Sequence, residues 1–476
     1  MGKNTRLRPI MLAGTGSDVG KSIIATALCR IFLQDGYTPA PFKAQNMALN
    51  SFVTPDGKEI GRAQAVQAEA CRLNAETDMN PLLLKPTAEH TTQVILNGVP
   101  IGNRSAYDYF KKENRQHLRQ EVCQAFDRLN TRFNPIVLEG AGSISEINLR
   151  ETDIVNMSMA RHANANVILI ADIDKGGVFA SCYGSIMLQT PEDRALIKGI
   201  IINKFRGDIR LFEKGKQMME EICGIPVLGI VPMFDHIAID EEDSVQLRGK
   251  RHTLSHDKVN IAVVLLRHIS NFTDFNVLER DNRVNLFYTN SPKDIEAADI
   301  IILPGTKSTL DDLYELRRNG LVSSIIRAHK AKKTIIGICG GFQILGQAIH
   351  DPLGIEGTIQ SLPGIGLLSI ETTMDATKKT RQVEFEFGGT HCKGYEIHQG
   401  VSTTDQLILQ EGSCIGTYLH GFLDNPSVIE YILKDKVKKE SKTFNLEDFK
   451  ERQYDLLAEH IRKHVDLPKL YEIMRA

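Results

Sequence analysis

The stretch Gly14-Thr15-Gly16-Ser17-Asp18-Val19-Gly20-Lys21-Ser22 decides how the first half of the chain is interpreted. The apolar run Pro9 to Ala13 precedes it, and a helical pattern from Ser22 to Gln34 follows it. A strand, a glycine-rich loop and a helix form the context of a phosphate-binding loop. The loop N–H groups, the helix N-terminus and the Lys21 ammonium attract phosphate, and the Ser22 hydroxyl can bind Mg²⁺.

The spacing of this stretch departs from the usual phosphate-binding loop at one position. The usual pattern is a glycine, four residues and then Gly-Lys-Ser/Thr. Thr15 stands where that glycine is expected, and the glycine lies one residue earlier, at Gly14. The alternative is a glycine turn that only joins a strand to a helix. Because Gly-Lys-Ser after an apolar strand is more specific than a pair of glycines, we predict a nucleotide site.

The chain is long enough for two or more domains, because a single core stops growing at roughly 250–300 residues and this chain has 476. Its net charge of −2 creates no field that would recruit nucleic acid. Eight scattered cysteines without paired metal spacing indicate a reduced, intracellular protein. The apolar runs are far shorter than the ~20 residues that span a bilayer. We therefore expect a cytoplasmic protein with no nucleic acid or membrane partner, and homo-oligomerisation stays open.

Apolar strand-like runs alternate with helical patterns in both halves, which predicts an α/β fold class with two domains. Residues 1–240 are expected to form a doubly wound parallel sheet that carries the phosphate-binding loop. The charged stretch 241–258 is interpreted as a linker, with a surface loop as the alternative. Residues 259–440 are expected to form a second α/β domain, strand-rich from about residue 350. Residues 441–476 are expected to form a helical tail that packs on the body.

Polar side chains follow several predicted strands of the first half, at the sheet edge where parallel sheets bind ligands. Glu139 ends one apolar run and could hold Mg²⁺, with an acidic loop residue as the alternative. Asp172 follows another run as a metal-binding aspartate would, with Lys175 close behind, and a solvated turn is the alternative for both. Three further candidates for contacting substrate or phosphate are Lys43, Asn46 and Lys85.

A second chemical centre is predicted around Cys339. The apolar run Thr334–Ile338, the glycine-flanked cysteine and a following helical pattern have the form of a nucleophile elbow. The alternative is an ordinary buried cysteine. A cysteine nucleophile needs a base, and His420 at the end of an apolar strand is the best candidate among fourteen histidines. The N–H of Gly340 and the loop that contains Gly305 can supply the oxyanion donors.

The motifs of the first half together resemble the cobyric acid synthase family of the CobQ/CbiP type, and the phosphate-binding loop is similar to that of dethiobiotin synthetases, including its longer spacing. The motifs are Pro-Phe-Lys-Ala-Gln-Asn-Met (41–47), Thr-Pro-Asp-Gly-Lys-Glu-Ile-Gly-Arg-Ala-Gln (54–64), Met-Asn-Pro-Leu-Leu-Leu-Lys-Pro (79–86), Leu-Glu-Gly-Ala-Gly-Ser (138–143) and Ala-Asp-Ile-Asp-Lys-Gly-Gly-Val-Phe (171–179). The resemblance implies transfer of the γ-phosphoryl group of ATP to a carboxylate. It also implies that Ser22 and Glu139 hold Mg²⁺ and that Lys43 contacts the substrate carboxylate or the transferring phosphate.

The second half resembles a class I, triad-type glutamine amidotransferase of the CobB/CobQ branch. The resemblance implies that Cys339 attacks the side-chain amide of L-glutamine, that His420 relays protons and that Gln343 helps to bind glutamine. A glutamate is usual two residues after the histidine, but Phe422 stands there. Glu396 could orient a group nearby and is left unassigned.

The segment 270–275, Ser-Asn-Phe-Thr-Asp-Phe, resembles a family segment as well. Its expected place is a surface facing the synthetase domain or the corrinoid, and a plain domain-interface role is equally open.

The resemblance covers nearly the whole chain and implies an ATP- and glutamine-dependent ligase with a corrinoid substrate. The reaction it implies is amidation of the b, d, e and g carboxylates of adenosylcobyrinic acid a,c-diamide, with ammonia passing between the two centres along a sheltered path. One alternative is the related synthase of the a,c-diamide, against which the motifs at 43–47 and 59–64 argue. The other is a ParA/MinD-like ATPase switch, which leaves Cys339 and His420 unexplained.

Overall fold

The computed structural model describes residues 6–88, 91–105, 109, 112–240, 253–437 and 445–476. Most of the predicted linker, residues 241–252, lies outside the described residues. Residues 438–444, at the predicted boundary between the second domain and the tail, lie outside them as well. Within the described part of the chain, no helix is both long enough and apolar enough to cross a membrane.

A six-stranded parallel sheet forms the centre of the first half, as predicted. Across the sheet its strands are Val227–Pro232, Ile197–Phe205, Asn166–Asp172, Ile10–Gly14, Ile136–Glu139 and Ala40–Phe42. Every residue of the three strands beginning at Ile10, Ile136 and Asn166 is buried, which is why they appear in the sequence as continuous apolar runs. The helices of this half are Lys21–Gln34, Arg62–Ala70, Lys112–Arg132, Met157–His162, Val178–Met187, Pro191–Arg194 and Glu213–Cys223.

Two small sheets extend the first half and were not predicted from the sequence. One has the strand order Gln45–Met47, Leu82–Ala88, Thr91–Leu96 and Val99–Ser105, and the other pairs Ser51–Val53 with Glu59–Gly61. Several of these strands have only three residues and carry polar side chains, so they produce no period-two pattern.

The second half is built on another mainly parallel sheet, which confirms the predicted α/β class. Its strands, in order across the sheet, are Val284–Thr289, Val259–Val264, Ile300–Leu303, Thr334–Ile338, Cys414–Thr417 and Ile408–Glu411, the last pairing antiparallel. Its helices are Asn276–Arg280, Pro292–Ala297, Thr309–Arg318, Leu321–Lys330, Gly340–Leu345 and Pro426–Leu433.

A separate five-stranded sheet accounts for the strand-rich region after residue 350. Its strands are Ser361–Pro363, Ala348–His350, Glu371–Phe387, Thr390–Ser402 and Leu419–His420. Residues 364–370 join the short strand Ser361–Pro363 to the long strand that begins at Glu371. The long hairpin that follows reaches across to the first half, where Thr380 donates to the Gly57 carbonyl at 2.6 Å.

The end of the chain returns to the first half. Helices Leu446–His464 and Leu467–Arg475 pack on the helix that follows the phosphate-binding loop and on the neighbouring sheet edge. Arg30 of that helix, whose side chain is 2% exposed, donates to Glu451 at 2.8 Å and to Asp455 at 2.7 Å. The tail therefore supports the helix that begins at the phosphate-binding loop.

The double variant Glu451→Gln with Asp455→Asn is expected to lower the free energy of unfolding by about 2 kcal/mol, because Arg30 then stays buried without a counter-charge. Thermal unfolding followed by circular dichroism measures the loss as a lower Tm. The matched control is Glu459→Gln, which removes an exposed pair with Lys463 on the same helix and should leave Tm unchanged. Equal Tm values for both variants would contradict the proposed support.

Candidate active site

The phosphate-binding loop folds tightly over the end of strand Ile10–Gly14. Gly20 has a φ of +95°, and a Cβ there would overlap the side-chain amide of Asn203. A Cβ on Gly14 would lie 2.7 Å from Lys21 Nζ. Only glycine fits at these two close approaches. This gives a physical reason for a glycine at position 14, where the sequence departs from the usual spacing.

Lys21 lies at the centre of the loop. Its Nζ donates to the backbone carbonyls of Gly16, at 3.0 Å, and Gly142, at 2.9 Å. Burial lowers the pKa of Lys21 to about 8, against the opposing pull of the Glu139 carboxylate. The ammonium is thus held among acceptors that the oxygens of a nucleotide phosphate could replace.

Glu139 connects the polar groups beside the loop. Its carboxylate is 1% exposed and accepts from Ser22 Oγ at 2.8 Å, Lys43 Nζ at 2.8 Å and Gln67 Nε2 at 2.6 Å. Burial raises the pKa of Glu139, but the adjacent Lys43 ammonium outweighs burial and the pKa lies below its usual value. Gln67 was missed in the sequence, because an amide within a helical pattern belongs to no phosphate-site motif.

The oxygen donors beside the loop suit Mg²⁺. The Ser22 hydroxyl and the Glu139 carboxylate lie 2.8 Å apart, and hard oxygen ligands are the ones that Mg²⁺ prefers. Asp172 lies at the end of a neighbouring strand, but its Oδ2 is 3.0 Å from Lys204 Nζ. The structure therefore brings Ser22 and Glu139 together and leaves Asp172 paired with a lysine.

A cavity of about 830 Å³ opens over the loop. Of the predicted substrate and phosphate residues, Lys43, Asn46 and Lys175 line it together with the loop, whereas Lys85 and Asp172 are not among its lining residues. Three arginines that the sequence analysis did not single out also line this cavity: Arg115, Arg150 and Arg161. Acidic side chains line the same cavity, and Arg161 pairs with one of them, Asp193.

Cys339 occupies a strained turn between strand Thr334–Ile338 and helix Gly340–Leu345. Its φ is +53° and its ψ is −111°, a conformation that is costly for a residue with a side chain and typical of a nucleophile elbow. A Cβ on Gly341 would overlap the carbonyl of Leu303 in the neighbouring strand. Gly341, two residues after Cys339, is therefore required for this turn to pack on the sheet.

His420 is held next to Cys339 by Asp274. His420 Nδ1 lies 2.7 Å from Asp274 Oδ2, and the two side chains are 1% and 4% exposed. Burial disfavours the charged ring, but the Asp274 carboxylate and the hydrogen-bonded Cys339 thiol outweigh burial and raise the pKa of His420 to about 10. Thiol, imidazole and carboxylate thus stand in the order of a nucleophilic triad.

Asp274 belongs to the segment 270–275, which the sequence analysis placed at a surface or interface. It lies 146 residues before His420 in the chain, so no local spacing could have found it. Glu396, which had been left unassigned, is directed elsewhere and pairs with Lys379, at 3.1 Å, and with Arg381. Phe422 is fully buried in the hydrophobic core.

The predicted oxyanion donors lie together at the cysteine. A Cβ on Gly305 would lie 3.2 Å from the His420 ring, and a Cβ on Gly340 would lie 3.0 Å from the Thr306 nitrogen. The loop after strand Ile300–Leu303 therefore faces the start of the helix that follows Cys339. Gly305 and Gly340, the predicted oxyanion donors, thus lie on facing segments of the chain.

The first half of the chain closes one side of the Cys339 cavity. Glu59, fully buried, lies 2.6 Å from Lys85 Nζ and 2.5 Å from Nζ of Lys378 in the long hairpin of the second half. Lys85 and Lys378 both line the cavity with Cys339. Lys85, a predicted contact of substrate or phosphate, thus lies at the amidotransferase cavity, where Glu59 and Ser51 Oγ, at 2.7 Å, hold its ammonium.

A row of buried polar side chains leads from this wall to the phosphate-binding loop. Glu59 stands at the cavity end, and the helix Arg62–Ala70 that follows it carries Gln64 and Gln67, both fully buried. Gln64 accepts from the Asn46 amide at 3.1 Å, and Gln67 donates to the Glu139 carboxylate beside the phosphate-binding loop. Both glutamines of this helix therefore contact polar groups that line the cavity over the phosphate-binding loop.

Comparisons with known proteins agree with this two-centre geometry. Residues 10–246 match the family model described as "CobQ/CobB/MinD/ParA nucleotide binding domain", and residues 260–428 match "CobB/CobQ-like glutamine amidotransferase domain". The chain is 62% identical to a protein of Phocaeicola vulgatus named "Cobyric acid synthase", over 98% of both chains. The chain belongs to the cobyric acid synthase family.

Other members of the family are similar over their full length. The relative from Bacteroides fragilis is 61% identical, over 99% of both chains. The relative from Clostridium perfringens is 45% identical, over 99% of this chain and all of its own. Membership confirms the predicted family and the predicted enzyme class, a ligase with a glutamine amidotransferase domain. The alternative of a ParA/MinD-like ATPase switch does not explain the amidotransferase match of residues 260–428.

Asp274→Asn is expected to slow glutamine hydrolysis by at least about 100-fold, because an amide cannot stabilise the charged imidazole. The Asp274 carboxylate raises the pKa of His420, so its removal should lower that pKa. The alkaline limit of activity should therefore move to lower pH. The pH profile of ammonia release from glutamine measures both effects. The matched control is Glu396→Gln, which should keep the wild-type profile, and an unchanged profile for Asp274→Asn would contradict the assignment.

Proposed function

We propose that the protein makes cobyric acid, by amidating the b, d, e and g carboxylates of adenosylcobyrinic acid a,c-diamide with one ATP and one glutamine for each amide. The observation that carries this proposal is the junction of two centres. A cysteine, histidine and aspartate cluster opens against a wall of the domain that carries the phosphate-binding loop. Family membership supports the corrinoid substrate and its place in cobalamin biosynthesis.

At the first centre, the loop binds ATP and Lys21 neutralises charge on the phosphates. A carboxylate of the substrate attacks the γ-phosphorus, the bond to ADP breaks, and an acyl phosphate forms. Mg²⁺ would be held by Ser22 and Glu139 and would neutralise charge on the phosphates. Lys43, whose Nζ contacts the same Glu139 oxygen as Ser22, lines the cavity where the substrate carboxylate must enter.

At the second centre, the Cys339 sulfur attacks the side-chain amide carbon of glutamine. The N–H groups around Gly340 and Gly305 stabilise the oxyanion, and His420 gives the leaving nitrogen its proton, so ammonia departs and a thioester remains. Water then hydrolyses the thioester to glutamate and returns the thiol. Asp274 holds the imidazole in the orientation that both steps require.

Ammonia must cross from the second centre to the first. The row of buried polar groups between Glu59 and the phosphate-binding loop supports a sheltered route along the helix Arg62–Ala70. Ammonia can exchange hydrogen bonds with amide groups such as Gln64 there, whereas bulk water would protonate it. Its attack on the acyl phosphate forms the amide and releases phosphate.

Mass analysis of the product tests the substrate assignment. With the a,c-diamide, ATP and glutamine supplied, we expect four successive amidations, each consuming one ATP and one glutamine. Product that stops short of four would limit the proposal to fewer carboxylates. No change in the a,c-diamide, together with amidation of the diacid precursor, would favour the related a,c-diamide synthase.

Two variants test the division into centres. Cys339→Ser is expected to abolish the use of glutamine and to keep amidation from added ammonium salts, because the phosphate-binding centre stays intact. Lys21→Ala is expected to stop amidation from either nitrogen source. Loss of both activities in a folded Cys339→Ser protein would contradict separate centres, and ammonia-driven amidation by Lys21→Ala would remove the loop from the mechanism.

A further inference from the structure

Two opposite charges line the Cys339 cavity without pairing with each other. Lys307 lies in the loop after strand Ile300–Leu303, and Glu356 lies between two strands of the five-stranded sheet. Each influences the ionisation of the other across the cavity. Among the described residues, neither has an oppositely charged side chain within 4 Å, so both remain available to a ligand.

Lys307 differs in this respect from the other two lysines of the cavity. Lys85 and Lys378 share the Glu59 carboxylate, at 2.6 and 2.5 Å. Lys307 Nζ donates to Gln399 Oε1 at 3.2 Å, which is a neutral partner. Burial and the neighbouring Lys85 ammonium lower the pKa of Lys307, and an anion bound in the cavity would favour its charged form.

Glu356 is held in a fixed orientation. Its Oε2 accepts from the backbone nitrogen of Thr309, at 2.6 Å, at the start of helix Thr309–Arg318. Thr309 Oγ1 in turn lies 3.3 Å from Gln343 Oε1, so Glu356 and the predicted glutamine contact Gln343 face the same end of the cavity. Burial raises the pKa of Glu356 to about 7, and a cation bound beside it would favour its charged form.

His398 adds a neutral acceptor at this end. Its Nδ1 donates to the Gly400 carbonyl at 2.7 Å, and its ring stacks on Tyr418 with centroids 3.7 Å apart. Burial lowers the pKa of His398 to about 4, so in the neutral ring Nε2 carries a lone pair. His398 is 8% exposed, lines the cavity, and its buried Nε2 has no hydrogen-bond partner among the described residues.

We propose that these three residues bind the charged end of free L-glutamine: Lys307 the α-carboxylate, and Glu356 with His398 the α-ammonium. The proposal rests on the proposed role of Cys339 in glutamine hydrolysis. A zwitterion matches separated, unpaired charges, and a neutral amide would leave both of them buried without partners. The cavity thus rejects amides that lack an amino-acid end, which protects the amide groups that the enzyme itself makes on its corrinoid product.

Three substrates test the proposal through ammonia release. L-glutamine carries both charges, glutaramate lacks the α-ammonium, and 4-aminobutanamide lacks the α-carboxylate. Wild-type enzyme is expected to prefer glutamine over either analogue by at least about 100-fold in kcat/KM. His398→Phe, which keeps a ring on Tyr418, and Glu356→Gln should each lower kcat/KM for glutamine by roughly 10- to 100-fold and leave that for glutaramate nearly unchanged. Lys307→Met should likewise lower kcat/KM for glutamine and leave that for 4-aminobutanamide nearly unchanged, so that the preference for glutamine over this analogue is lost.

The controls separate binding from stability. Lys393→Met removes a lysine of the same hairpin whose side chain is 74% exposed, and it should keep all three rates. Amidation from ammonium salts should persist in every variant, which shows that the protein is folded. Equal losses on glutamine and on the matching analogue would overturn the proposal alone, because a purely structural role lowers both. Failure of the wild-type enzyme to hydrolyse glutamine would overturn both the role of Cys339 and this proposal.

Discussion

The arrangement of the two halves depends on the ion pairs of the buried Glu59 carboxylate. It has no access to solvent and lies between Lys85 of its own half and Lys378 of the other. Burial opposes its charge, but the two ammonium groups outweigh burial and lower its pKa well below the usual range. Because this one carboxylate pairs with a lysine of each half, its loss would leave two buried ammonium groups without a counter-charge, and the cluster favours a single placement of one half against the other.

That placement decides what lies beside the cysteine. Tyr395 stacks on the His420 ring, with centroids 5.4 Å apart, and packs against Phe52 of the first half. Asn271, three residues before Asp274, accepts from the backbone of Ser51 at 3.1 Å. Tyr395 and the segment that carries Asp274 thus contact both His420 and the first half of the chain.

The two centres are suited to different chemistry, and their backbone conformations differ accordingly. The phosphate-binding loop presents N–H groups and a lysine to an anion, and its glycines are required by close approach. The cysteine turn stores strain at a positive φ so that the sulfur projects beyond the sheet. The helix that begins at Arg62 places the buried Gln64 and Gln67 beside Asn46 and Glu139 of the phosphate-binding centre.

The sequence by itself determined the parallel α/β halves, the phosphate-binding loop, the cysteine turn and the candidate base His420. Each of these follows from local rules: continuous apolar runs, glycines at tight turns and the residue types that a reaction needs. The tertiary structure alone decided that Asp274 completes the triad, that Lys85 belongs to the amidotransferase cavity and that Gln67 joins Glu139. Those positions depend on which distant segments of the chain pack together. Buried charges and amides that pair across such segments produce no periodic pattern and no fixed spacing in the sequence.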